Sequence, residues 1–199
     1  MEEGGKDIMT GQQVQYETEK RIQMLCSLPD NAVKGQLAEL RRGAGTQPGE
    51  LPALWGAFLS DLPDETLSRD GEASRSEWAI YIALTLFALH QQGKDLKRES
   101  VNTKGKGLGS AVAELVKTEE DRQRVWKRFQ TIATSSDVRE LGYYLRSMIQ
   151  LLKAEGISLD YGVLAKDIFD YQDSNRVNVV RLKWGEDFYR QKKEETDEQ

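Results

Sequence analysis

The stretch AIYIALTLFAL, Ala79 to Leu89, places eleven uncharged and almost wholly apolar residues in a row. It is well short of the roughly 20 residues that a membrane-spanning helix needs. A helix apolar on every side has to be wrapped by other elements, so this segment predicts a core helix around which the rest of the chain packs. Elsewhere apolar residues recur at helical spacing in Tyr16 to Leu28, Val33 to Leu40, Leu51 to Leu59, Ala111 to Val116, Val125 to Ile132, Leu141 to Leu152, Val163 to Tyr171 and Val177 to Phe188. No Asn-Gly or Asp-Gly pair sits between alternating strands; the single Asp-Gly, at Asp70, lies in the polar SRDGEAS. The pattern predicts an all-α fold, a compact helical bundle of eight or nine helices. Gly43–Gly49, Pro63–Ser76 and Lys94–Gly109 are the expected loops. The last either separates two packed helical halves or is long enough to be a functional loop.

A length of 199 residues, 38% of them hydrophobic, suits one domain or two small ones. The formal net charge of -5 is unevenly spread. Residues 1–30 carry three cationic and six anionic groups, and the tail 194–199, EETDEQ, carries none and four. Residues 31–193 therefore sum to +2, and within them residues 79–193 sum to +5. Binding depends on local potential, so an acidic total does not exclude a polyanion partner. The organisation expected is an acidic N-terminal segment with the first helix (1–30), a helical body (31–193) and an acidic tail (194–199). The acidic ends are expected to screen the basic surface until a polyanion displaces them. The chain opens MEEGGKDIMTGQQ, without a basic-then-apolar signal, and its single Cys26 cannot form an internal disulfide; both predict a cytoplasmic protein.

On a helical wheel the segment Asp137–Glu155 turns Leu141, Tyr144, Leu145, Met148 and Leu152 inward. Arg139, Arg146 and Lys153 fall on the opposite side at i, i+7 and i+14 with no acid among them. Most balanced helix surfaces interleave acids, because an i,i+4 acid-base pair stabilises a helix by about 0.2–0.5 kcal/mol. The last helix repeats the spacing with Arg176, Lys183 and Arg190, while Arg181 borders its apolar face and either snorkels over the core or joins a basic patch. DRQRVWKRFQ leaves Arg124, Lys127 and Arg128 outward. Lys104 and Lys106 stand in NTKGKGLGSAVAEL, whose glycines precede a helix start suited to an anion. Arg41 and Arg42 are adjacent cations with no acidic residue following until Glu50. Such groups neutralise a phosphate backbone without reading sequence.

Catalytic material is scarce. His90 reads as a polar cap ending its helix, Cys26 as core packing, and no nucleophile elbow, zinc-ligand cluster or Walker motif is present. Asp167, Asp170 and Asp173 have a spacing that a Mg²⁺ site would tolerate, but Lys166 and Arg176 are close enough to pair with them. No catalytic residue, metal or cofactor is assigned. The competing readings are an architectural adaptor docking proteins through Tyr143 and Trp126, and a metal-dependent hydrolase built on Asp167 and Asp170.

The ordered segments RRGAGTQPGELPALW, GLGSAVAEL, DRQRVWKRFQ, LGYYLRSMIQLLKAEGISLDYGVLAKDIFDYQ and NRVNVVRLKWGEDFYR resemble the CasB family, the small subunit of the type I-E CRISPR Cascade complex. The resemblance runs from about Leu37 to Arg190. The first thirty residues, the 60–76 insertion and the EETDEQ tail fit it least. It implies a non-enzymatic helical subunit, paired with a second copy of itself and touching other Cascade subunits. Such a subunit helps hold guide RNA and target DNA during R-loop formation. Its basic motif positions fall on Arg41, Arg42, Lys127, Arg128, Arg146, Arg181 and Lys183. Arg139, Lys153, Arg176 and Arg190 rest on the wheel alone, and Lys104 and Lys106 on the glycine loop.

Overall fold

The structure, a computed structural model, describes the backbone of residues 9–197 and the side chains of residues 9–190. The first eight residues of the acidic N-terminal segment and the side chains of the EETDEQ tail lie outside the described residues. In chain order the elements are α1 (Gly11–Ser27), α2 (Asp30–Arg42), a 3-10 turn (Pro52–Leu54) leading into α3 (Trp55–Phe58), α4 (Arg75–Gln91), α5 (Leu108–Ala113), α6 (Glu119–Ala133), α7 (Val138–Glu155), α8 (Tyr161–Tyr171) and α9 (Val177–Asp197). Most expected helical segments are helices; Leu51–Leu59 is a 3-10 turn followed by one helical turn, and the Ala111–Val116 segment is helical only to Ala113. The described residues contain no strand beyond one parallel bridge between Asn102 and Leu159.

The apolar run forms α4, and every residue from Ala79 to Gln91 is buried. Ser74 starts the helix with a reciprocal cap: its hydroxyl accepts the Glu77 N–H at 3.0 Å and the Glu77 carboxylate accepts the Ser74 N–H at 2.7 Å. Helices α1, α2, α7 and α8 pack around it. Glycine allows two of the close approaches. Gly142 of α7 rests against Ile82, and a Cβ at Gly109 of α5 would fall 2.3 Å from the Trp184 carbonyl of α9. Behind α7 and α8, the rings of Phe129, Tyr171, Trp184 and Phe188 stack α6, α8 and α9 together.

One continuous apolar cluster runs from Met9 to Phe188. The Lys94–Gly109 loop does not hang free of this cluster, since Leu96 and Val101 are buried in it. It is sewn in: Thr103 N–H donates to Leu159 O and Leu159 N–H to Val101 O, each at 3.0 Å. The buried Gln91 side chain accepts the Val101 N–H at 2.9 Å and donates to Glu99 O at 3.0 Å. These bonds satisfy loop backbone that would otherwise be stranded in the interior.

Candidate nucleic-acid interface

Helix α7 is fixed at both ends. Asp137 accepts the N–H groups of Arg139 and Glu140 at 2.8 Å, and Gly156 closes the other end in the left-handed region at φ 70°. Leu141, Leu145, Met148 and Leu152 are buried, which turns Arg139 and Arg146 fully outward and leaves Lys153 half-exposed. The three cations span about 21 Å at a rise of 1.5 Å per residue. None has a carboxylate within ion-pair distance among the described residues.

Neighbouring elements add positive charge to this face. The Arg146 side chain lies over Gly45, where a Cβ would come 3.2 Å from its Cδ, so the loop after α2 runs directly beneath it. Burial lowers the pKa of the Lys153 ammonium, and Arg41, in the last turn of α2, sits close enough to lower it further. Lys153 Nζ donates to Gln92 Oε1 at 2.8 Å, and Lys94 shares with it the surroundings of His90. Arg42 is exposed beside Arg41. Cations crowded together raise one another's energy, and a bound polyanion relieves it; Asp30 and Asp95 line the cleft that Arg41 and Lys94 share, so this end of the face is less purely basic than the Arg139–Arg146 part.

The other candidates are placed differently. Lys183 Nζ of α9 donates to Asp167 Oδ1 at 2.8 Å, and Arg176 Nε, in the turn just before α9, donates to Asp170 Oδ1 at 2.9 Å. The stripe expected there is thus largely engaged with α8, and only Arg190 remains exposed and without a carboxylate partner among the described residues. Arg181 takes the snorkelling alternative: it lies 5.3 Å from the Tyr171 ring centroid and donates to that hydroxyl at 3.2 Å. The glycine loop is partly engaged within the fold. Its Gly105 N–H donates to Asp160 at 2.6 Å, Lys106 pairs with Glu114 at 2.6 Å, and α5 behind it has only six residues. Lys104 is exposed. On α6, Lys127 and Arg128 are exposed, Arg128 in a cleft beside Leu151 and Ala154 of α7, while Arg124 pairs with Asp121 at 2.6 Å.

The groups considered for catalysis are also engaged. Burial raises the Asp167 carboxyl, which Lys183 and the Trp184 indole N–H nevertheless hold. Burial pushes the Asp170 carboxyl up as well, but hydrogen bonds from Lys166 and Arg176 outweigh it and leave it below the ordinary value. His90 is not a cap. It is buried with Nδ1 2.8 Å from the Tyr161 hydroxyl, and burial with the nearby Lys94 and Lys153 lowers its pKa to about 4. Two residues escaped the sequence reading: Lys94, and Trp78, whose ring lies 6.0 Å beneath the Arg139 guanidinium. Trp78 opens an apolar helix, and nothing local announces that α7 crosses it.

The family described as CRISPR-associated protein Cse2 matches residues 36–189. The chain belongs to the Cse2 family. That match contains α7, the loop after α2 and the Arg41–Arg42 pair. The crystal structure of CasB from Thermobifida fusca is similar at a TM-score of 0.70 and 29% identity, covering 88% of this chain and 97% of that one. M. ruber CasB shares the fold at 0.67 and 24%, covering 92% and 98%. A chain of a CRISPR RNA-guided surveillance complex shares it at 0.65 and 20%, covering 94% and 98%. No curated protein matches in sequence. Among the described residues no helix of this Cse2-family chain is long and apolar enough to cross a membrane.

Proposed function

We propose that this chain is a non-catalytic, cytoplasmic subunit of a Cascade-type RNA-guided surveillance complex. In that role it binds nucleic-acid backbone without sequence specificity and stabilises the R-loop between guide RNA and target DNA. The observation that carries the reading is the face of α7 on which Arg139, Arg146 and Lys153 have no ion-paired carboxylate among the described residues, with Arg41 of α2 beside Lys153. Membership of the Cse2 family supports it, as does the likeness to a chain of a CRISPR RNA-guided surveillance complex. The other subunits and a second copy of the chain are its protein partners in this reading. The family match supports taking 31–193 as the working body.

Exchanging a DNA duplex for an RNA–DNA heteroduplex is nearly balanced in free energy, so a few phosphate contacts tip it. The test is a reconstituted complex carrying Arg139→Glu and Arg146→Glu. Assembly is expected to proceed while R-loop lifetime falls at least tenfold, the scale of about 1.4 kcal/mol. Normal R-loops in the assembled variant contradict the proposal, and failed assembly alone favours the adaptor reading.

A further inference from the structure

A cavity of about 310 Å³ opens between the loop after α2 and helices α4 and α7, on the same face as Arg139 and Arg146. Its walls include Trp78, Ile82 and Leu86 of α4, Val138 and Tyr143 of α7, and Gln47 of the loop. That volume lies at the low end of ligand cavities, about 300–1,000 Å³, and suits one flat ring system better than a whole nucleotide. Two aromatic side chains line it. Trp78 packs against the core beneath the Arg139 guanidinium, and Tyr143 is 62% exposed with its ring edge-on to Tyr144 at 5.5 Å. The one carboxylate in the wall, Glu140, accepts the Ser136 N–H and hydroxyl at 2.6 and 2.8 Å. It is turned to its own helix start and leaves Arg139 uncompensated.

The geometry points to a nucleobase pocket: one unpaired base of a strand tracking along α7 turns into this cavity and stacks on Trp78 and Tyr143. The inference rests on the proposed backbone-binding role. Arg139 and Arg146, about 10 Å apart along the helix, hold phosphates on either side of the turned base. The loop admits the strand closely because Gly45, in the left-handed region at φ 94°, carries no side chain beneath Arg146. Aromatic stacking accepts any base, so the pocket adds affinity for single strands without sequence preference.

The test compares the full chain's affinity for an oligothymidylate with that for an oligonucleotide of equal length and charge whose sites are abasic. The base-bearing strand is expected to bind about tenfold more tightly, with the same salt slope for both. Tyr143→Ala, a surface change that does not threaten the fold, is expected to reduce that preference to about threefold or less at an unchanged slope. Quenching of tryptophan emission by the oligothymidylate is expected to disappear in Trp78→Phe. Equal affinity for both strands at a normal slope overturns the pocket and leaves the backbone role standing, as does a preference that survives Tyr143→Ala. Salt-independent binding of both strands overturns the two together.

Discussion

His90 ends α4 with a buried ring whose Nδ1 meets the Tyr161 hydroxyl. Its pKa of about 4 lies below the ordinary 6.5, so between those values the folded protein binds fewer protons than the unfolded chain. The stability this neutral imidazole permits is fully present above pH 6.5 and is lost as pH falls toward 4, by about 3 kcal/mol in all. Urea unfolding at pH 7 and pH 4.5 checks it: the wild type is expected to lose about 2–3 kcal/mol more than His90→Gln across that interval. Identical pH dependence contradicts the assignment. The sequence shows a lone histidine closing an apolar helix, but not the tyrosine 71 positions later that meets it. Burial was legible there, and the partner was not.

Helices α7 and α9 carry the same i, i+7, i+14 cation spacing and end in different circumstances. A helical wheel gives the direction of a side chain but not its neighbour. α9 lies beside α8, where Asp167 and Asp170 take up Lys183 and Arg176. α7 lies beside the end of α2 and a glycine loop, which supply more cations and a bare backbone. The two stripes therefore separate by mutation. Lys183→Met strands the buried Asp167 carboxylate and is expected to cost about 2 kcal/mol, below the usual 3–5 because the Lys183 side chain is 39% exposed. Single-strand affinity of the folded variant stays within about twofold, less than 0.5 kcal/mol. Arg146→Ala is expected to do the reverse, changing stability by less than about 0.5 kcal/mol while weakening binding. Urea titration paired with strand binding reads both, and weakened binding by a fully stable Lys183→Met contradicts the division.

The whole molecule sets a net charge of -5 against a basic face, and the two are compatible because charges further apart than about 8–10 Å are screened at physiological salt. Its helices, and the family to which it belongs, were legible because capping residues and 3.6-residue periodicity are local signals. The core helix was legible, but not how the 94–109 loop is held to it, since the backbone bonds between Leu159 and the Val101–Thr103 segment join residues far apart in sequence. Nor was the gathering of Arg41, Lys94 and Trp78 around α7, which tertiary packing alone creates. The salt dependence of single-stranded DNA binding tests that gathering most directly, comparing the wild type with the combined Arg139→Ala, Arg146→Ala and Lys153→Ala variant. Three lost phosphate contacts are expected to make the log K against log salt slope shallower by about 2, at roughly 0.7 per contact; an identical slope would contradict the α7 face as the nucleic-acid track.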